Sequence, residues 1–167
     1  MNPGHVSAFD LFSIGVGPSS SHTVGPMRAA RRFAVSLEHD GALDRVERVT
    51  CHLFGSLGAT GGGHGTLPAV VAGLAGHDPE TVAPEAMARG WAAVEAGDGI
   101  TLKGGRGAEM AVGDFELQPG RTAGRHVNSL RLEALGAGGA LLRAETFYST
   151  GGGFVESEHD PVGGGLD

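Results

Sequence analysis

Apolar residues recur at helical spacing along three stretches of the chain. The first follows Pro26 and ends before Gly41, the second covers residues 68–76, and the third covers residues 84–96. A proline suits the first turn of a helix, and a glycine suits its end. We therefore predict three helices, whose apolar positions are Met27, Ala30, Phe33, Ala34 and Leu37, then Val70, Val71 and Leu74, then Met87, Trp91 and Val94.

Alternation of apolar and polar residues predicts strands elsewhere. Val49, Cys51 and Leu53 alternate with polar neighbours, and residues 126–134 and 140–148 show the same pattern on either side of a glycine-rich segment that favours a hairpin. Residues 5–14 predict a short helix or turn, and residues 98–125 predict short strands with loops.

No strand–helix–strand unit repeats along the sequence. We therefore predict an α+β domain over residues 1–155, with a mixed sheet flanked by helices, and a tail or linker over residues 156–167.

Composition restricts the possible partners. The formal net charge is −7 and no basic block is longer than Arg31-Arg32, so we expect no nucleic-acid partner. The absence of a long apolar run and of a signal peptide favours a cytoplasmic protein with no membrane partner. Cys51 is the single cysteine, which excludes a disulfide and a cysteine-based metal site within the chain. The 31 glycines fall in bursts, which is typical of turns and of loops that approach a ligand.

Two segments combine hydroxyls, histidines and glycines. Ser19, Ser20, Ser21, His22 and Thr23 stand just before the first predicted helix, where backbone N–H groups favour an anion; alternatively, one serine caps the helix and the others face water. The second segment, residues 61–66, follows a predicted strand and includes a histidine among glycines. This pattern suits proton transfer close to a ligand, although a surface turn with an incidental histidine is the other interpretation. Nucleotide-binding glycine motifs are absent.

Two further segments carry weaker signals. His126 and Asn128 open a predicted strand and would share a face, either to bind a polar ligand or as its solvent side. Residues 149–153 end a predicted strand and combine hydroxyls with glycines. This pattern indicates either a bend in the chain or a ligand-binding site. We expect Glu133 and Glu145 to lie on solvated faces, and the arginines of the first helix to be exposed.

Taken in this order, the segments resemble the bacterial L-serine dehydratases that use a [4Fe-4S] cluster. Residues 9–12 and 14–27 are similar to the opening of that family, and residues 55–57 and 60–66 to its second motif. Residues 126–128 match its His-x-Asn, and residues 148–154 its last beta-domain motif. One departure is Leu67, where the family usually has an aspartate, which puts any role of that acid in doubt here.

The resemblance implies the beta domain of an enzyme that converts L-serine into pyruvate and ammonia. It implies a fold similar to the allosteric substrate-binding domain of some phosphoglycerate dehydrogenases. The implied partners are L-serine, a larger alpha domain that ligates the [4Fe-4S] cluster, and a second copy in a homodimer. The alternative is a regulatory module that binds serine or an anion without chemistry of its own. The implied catalytic residue is His64, and the implied substrate-binding residues are Ser19, Ser20, Ser21, His22, Thr23, Gly63, Thr66, His126, Asn128, Ser149, Gly151 and Gly152.

Overall fold

A computed structural model describes residues 22–62 and 65–161 of the chain. Within them the order of the main elements is α1 (Val24–His39), β1 (Arg48–Phe54), α2 (Gly55–Thr60), α3 (Thr66–Leu74), α4 (Pro84–Glu95), β2 (Ile100–Thr101), β3 (Gly107–Ala108), β4 (Phe115–Gln118), β5 (Asn128–Leu135), β6 (Leu141–Gly151) and β7 (Phe154–Ser157). The predicted α+β class with a mixed sheet is confirmed. The predicted element over residues 5–14 lies outside the described residues.

The five-stranded sheet has the order β4-β1-β5-β6-β7. Strands β1 and β4 are parallel, and every other neighbouring pair in this sheet is antiparallel. The crossover from β1 to the parallel β4 contains α2, α3, α4 and a two-stranded sheet of β2 and β3. The predicted hairpin between the last two long strands is confirmed as β5 and β6, which turn at residues 137–139.

The core lies between one face of this sheet and the helices. Val49, Cys51 and Leu53 of β1 are fully buried, while the intervening residues of the strand are partly exposed. The same core cluster contains Phe33 and Leu37 of α1, which confirms the predicted apolar face of the first helix. Burial of large side chains of this kind contributes roughly 1.5–3 kcal/mol each.

Helix α3 is enclosed by its neighbours. A Cβ atom on Gly73 would lie 2.2 Å from the carbonyl oxygen of Met27, so α1 and α3 cross at a distance that only glycine permits. On the other side, a Cβ on Gly90 of α4 would lie 3.3 Å from a methyl group of Val71. This enclosure explains why α3 is apolar around its whole circumference.

Several element boundaries differ from the prediction. Helix α3 begins at Thr66, two residues before Pro68, and it is preceded by Gly65 in a left-handed conformation. Pro68 is tolerated there because its position lies in the first turn, where an N–H has no intrahelical partner. Residues 55–60 form helix α2, which the sequence did not predict. Strand β5 begins at Asn128 and not at residue 126, and β6 continues to Gly151.

Candidate functional site at one end of the sheet

One end of the sheet gathers the segments that the sequence singled out. Phe54, at the end of β1, pairs with Ser129 at the start of β5, and Ser129 pairs with Tyr148 near the end of β6. The same end therefore carries the residues that follow β1, the start of β5, and the turn between β6 and β7. Helix α1 also starts here, because its first residues contact that turn.

His22 and Ser56 form a direct contact at this end. The Nε2 atom of His22 lies 2.9 Å from the hydroxyl oxygen of Ser56, which is the second residue of α2. This contact joins the segment before α1 to the end of β1. Ser56 was not among the predicted site residues; its place directly after a buried strand was the available signal, since ligand groups are often found at strand ends.

Thr66 fixes the same segment from the other side. Its side chain is fully buried, and its hydroxyl donates a hydrogen bond of 2.5 Å to the backbone carbonyl of His22. The structure thus places Thr66, a predicted substrate-binding residue, as a group that positions the backbone at His22. Thr23, which precedes α1, is also fully buried.

Asn128 lies next to the start of α2. It pairs with Gly55 in an isolated antiparallel bridge, and its backbone N–H donates to Nδ1 of His126 at 3.0 Å. A side chain at Gly55 is impossible, because a Cβ there would lie 2.1 Å from the carbonyl oxygen of Val127. The Oδ1 atom of Asn128 is buried and has no hydrogen-bond partner within the described residues. Since a buried acceptor of this kind costs free energy, it suits a donor supplied by a ligand.

The turn between β6 and β7 rests on the start of α1. Gly151, Gly152 and Gly153 all have positive φ, and a Cβ on Gly153 would lie 2.8 Å from a methyl group of Val24. Arg28 holds the turn by donating a hydrogen bond of 2.7 Å from Nη1 to the Gly153 carbonyl. The fully buried Ser149 lies on β6 just before this turn. Arg28, expected to be solvent-exposed, is therefore a structural link.

The structure brings together some of the predicted site residues, and others lie outside the described part of the chain. The structure brings the segments of His22, Thr66 and Asn128 together around the start of α2, and those of Ser149, Gly151 and Gly152 beside the start of α1. His126 precedes β5 and contacts the backbone of Asn128 instead of sharing a strand face with it. The remaining predicted residues lie outside the described part of the chain; these are Ser19, Ser20, Ser21, Gly63 and His64.

The donor chemistry of the described residues does not fit an iron–sulfur cluster. Cys51 is fully buried in the core, and burial raises the pKa of its thiol far above the ordinary range, so that the thiolate ligand is disfavoured. Within residues 22–62 and 65–161, no group of three or more histidine, cysteine or acidic side chains is arranged to hold a metal ion.

A second polar cluster lies away from the site and is structural. Glu145, expected on a solvated face, is only 2% exposed, and it accepts hydrogen bonds from Arg143 and from the Ser157 hydroxyl. The expectation was wrong because Glu145 faces the helices from β6. Arg32 is also not free, because both of its terminal nitrogens bind the carboxylate of Asp160, beyond the end of β7.

These features define an α+β domain whose candidate ligand-binding groups come from loops and element ends at one edge of a mixed sheet. No helix within the described residues is long and apolar enough to cross a membrane. The sequence model of the serine dehydratase beta chain matches residues 7–160, and the chain belongs to that family.

Similar proteins support the same family. The chain is 47% identical over 154 residues to the L-serine dehydratase of Mycobacterium tuberculosis and 48% identical over 159 residues to that of Streptomyces coelicolor. It is 38% identical over 164 residues to L-serine dehydratase 1 of Escherichia coli. These matches cover 92–95% of the chain but only 33–35% of the relatives, so the chain spans about a third of their length. The resemblance to the beta domain of bacterial L-serine dehydratases, which the motifs indicated, is confirmed.

The departure at Leu67 has a structural counterpart. Leu67 is 8% exposed and belongs to the core cluster, near the start of α3. An aspartate in this place would carry a buried charge. Any role that the acid has in other members of the family is therefore not available to this side chain.

Proposed function

We propose that this chain is the beta domain of an L-serine dehydratase and provides one wall of its substrate site. The full enzyme converts L-serine into pyruvate and ammonia. The observation that carries the proposal is the convergence of His22, Ser56 and Asn128 at one end of the sheet, around the start of α2. Membership of the serine dehydratase beta chain family supports the choice of substrate.

The polar groups at this end suit a small zwitterion that also bears a hydroxyl. The Asn128 Oδ1 atom is an acceptor without a protein partner within the described residues, and the ammonium or hydroxyl group of serine can donate to it. The Ser56 hydroxyl, bound to His22, can turn to donate to a carboxylate. Thr66 contributes by holding the His22 backbone in place.

The reaction requires removal of the α-proton, departure of the β-hydroxyl group, and tautomerisation and hydrolysis of the resulting enamine. His64 is our proposed proton-transfer residue, because an imidazole has an ordinary pKa close to neutrality. His64 lies outside the described residues, two positions before Thr66, which is the first residue of α3. We propose that the remaining substrate contacts come from four further residues outside the described part of the chain: Ser19, Ser20, Ser21 and Gly63.

In this proposal a [4Fe-4S] cluster is bound by a part of the enzyme outside this chain. The buried Cys51 supports that placement, since it is the single cysteine of the sequence. When bound, such a cluster supplies a Lewis acid for the substrate oxygens. The residues of this chain bind and orient the serine and exchange protons with it.

Turnover of the full-length enzyme tests the catalytic role of His64. We expect His64→Ala to lower kcat for pyruvate formation by about 10²-fold or more, which is the usual contribution of a general acid or base. His39→Ala is the matched control, because His39 is exposed in the last turn of α1. Near-normal turnover of His64→Ala would contradict the proposed role.

Calorimetry distinguishes catalysis from regulation. If the chain is one wall of a shared site, residues 1–167 alone bind L-serine weakly or without detectable heat, and Asn128→Ala raises KM in the full enzyme. Tight binding of L-serine to the isolated chain, together with unchanged KM in Asn128→Ala, would favour the regulatory module instead. Asn128→Asp retains the size of the side chain and separates loss of the amide from loss of packing.

The proposed enzyme is a cytoplasmic homodimer. A single cysteine held as a free thiol suits a reducing compartment. The side chains of His52 and Phe54 stack on the sheet face opposite the core and are partly exposed, so that this face has room for a second copy. Sedimentation equilibrium of the full-length protein tests the dimer, and a concentration-independent monomer would contradict it.

A further inference from the structure

A cavity lies between α3, α4 and β2, and it shares no residue with the candidate site at the sheet end. Its volume is about 460 Å³. Small-molecule sites commonly have volumes of roughly 300–1,000 Å³. Every residue that lines the cavity belongs to the described part of the chain. Three of them carry ionisable side chains: His77, Arg89 and Asp98.

These ionisable side chains have no partners among residues 22–62 and 65–161. Within the described residues, none of the three forms a hydrogen bond or an ion pair through its side chain. By contrast, Arg28 and Arg32 on the neighbouring helix α1 are both paired with carboxylates. The cavity therefore presents a cation and an anion that can each bind a ligand without breaking an existing ion pair.

The local structure holds the backbone that carries Arg89 and Asp98 at the cavity. Ala86, Arg89 and Ala93 lie three and four residues apart and so share one face of α4. The backbone N–H of Asp98 donates to the carbonyl of Ala93 at 2.8 Å, which attaches the turn after α4 to the helix end. Gly99 lets this turn approach β3, since a Cβ there would lie 2.4 Å from the carbonyl oxygen of Ala108.

Apart from the hydroxyl-bearing Thr101 of β2, the other side chains of the wall are apolar. Ala72 and Ala75 contribute from the α3 side, and Ile100 from β2. None of them offers a side-chain hydrogen bond. A ligand hydroxyl placed against them would lose its hydrogen bonds to water without replacement. An apolar ligand group in this part of the cavity would gain from leaving water.

We infer that this cavity binds a free α-amino acid with an apolar side chain. Arg89 binds the carboxylate, Asp98 binds the ammonium group, and His77, which lines the same cavity, is a further donor. The alanine-lined wall takes the side chain. This inference does not rest on the proposed function, because the site, the ligand class and the measurement are all separate from serine turnover.

Isothermal titration calorimetry of the full-length protein with L-leucine tests the ligand class. We expect saturable binding. L-leucinamide, which lacks the carboxylate, and N-acetyl-L-leucine, which lacks the ammonium group, should each bind about tenfold more weakly or worse, as expected for the loss of a charge-assisted hydrogen bond. The inference is overturned if L-leucine does not bind up to its solubility limit, or if L-serine displaces it with equal affinity.

Two variants test the location. Arg89→Ala and Asp98→Asn should each weaken L-leucine binding about tenfold or more. Arg45→Ala and Asp44→Asn are the matched controls, because these exposed side chains lie in the turn after α1 and outside the cavity. Both Arg89 and Asp98 are exposed, so the fold should tolerate their replacement, and unchanged thermal unfolding checks this. Unaltered L-leucine affinity in both cavity variants would overturn the inference.

Discussion

The hydroxyl group of Thr66 donates a hydrogen bond to the backbone carbonyl of His22, 44 positions earlier in the chain. Both ends of this contact matter for the candidate site. Thr66 is the first residue of α3, and the side chain of His22 contacts Ser56 at the start of α2. One buried hydroxyl thus connects the starts of three helices.

Replacement of Thr66 by valine should destabilise the protein. Valine has a similar shape but leaves the His22 carbonyl without this donor, so we expect the free energy of unfolding in urea to fall by about 1–3 kcal/mol. Thr50→Val is the matched control, because the Thr50 hydroxyl oxygen is buried without a hydrogen-bond partner within the described residues. That change should cost little or even stabilise. Equal losses in the two variants would contradict the role of the hydrogen bond.

Alanine substitutions at Gly153 and Gly139 should separate the cost of backbone strain from the cost of steric contact. Both have φ near +80°, so alanine at either position costs roughly 1–2 kcal/mol of backbone strain. A Cβ at Gly139 meets nothing within 4 Å, whereas at Gly153 it meets Val24 and Arg28 below 3.0 Å. We expect Gly153→Ala to lower the free energy of unfolding clearly more than Gly139→Ala. If the two losses match, the turn does not rest on α1 as described.

The ion pair between Arg32 and Asp160 should make stability depend on pH. A hydrogen bond from Arg32 lowers the pKa of Asp160 to about 2. The unfolded value is about 3.9, so the folded state binds fewer protons in this range and stability rises with pH. The contribution is complete above about pH 4 and is lost as the pH falls through 2. Because the side chains are 43% and 34% exposed, we expect only about 1 kcal/mol.

Chemical unfolding of Asp160→Asn at several pH values measures this contribution. The difference from the unmodified protein should be largest at neutral pH and should vanish only below pH 2. Asp44→Asn is the control, because Asp44 is exposed in the turn after α1 and forms no ion pair within the described residues. A pH-independent difference for Asp160→Asn would show that the amide disturbs packing instead.

A double-mutant cycle should show strong coupling between Arg143 and Glu145. Replacing only Arg143 by methionine leaves the buried Glu145 carboxylate without its cation, and we expect a loss of about 3 kcal/mol in unfolding free energy. Replacing both, as Arg143→Met with Glu145→Leu, should restore much of the loss because no buried uncompensated charge remains. The exposed pair of Lys103 and Glu38 serves as control, with an expected coupling below about 1 kcal/mol. Additive losses at the buried pair would refute the prediction.

The sequence by itself determined the elements whose stability is encoded in local periodicity. The spacing from Met27 to Leu37 predicted α1, and alternation with an intervening glycine segment predicted the hairpin of β5 and β6. In each of these elements, one apolar face repeats with the period of the backbone, so neighbouring residues carry the information. The ordered motifs also identified the family, since their combination is more specific than any one of them.

Tertiary structure decided the features that depend on distant neighbours. The sequence predicted no helix over residues 55–60, whereas the structure forms α2 there, with the Val127 carbonyl lying against Gly55. Glu145 accepts hydrogen bonds from Arg143, two residues earlier on the same strand, and from Ser157 on the neighbouring β7, a partner that only the pairing of β6 with β7 brings close. The contact of His22 with Ser56 likewise joins two segments 34 positions apart. The periodicity of the local sequence cannot specify such partners, because they depend on how the sheet and the helices pack together.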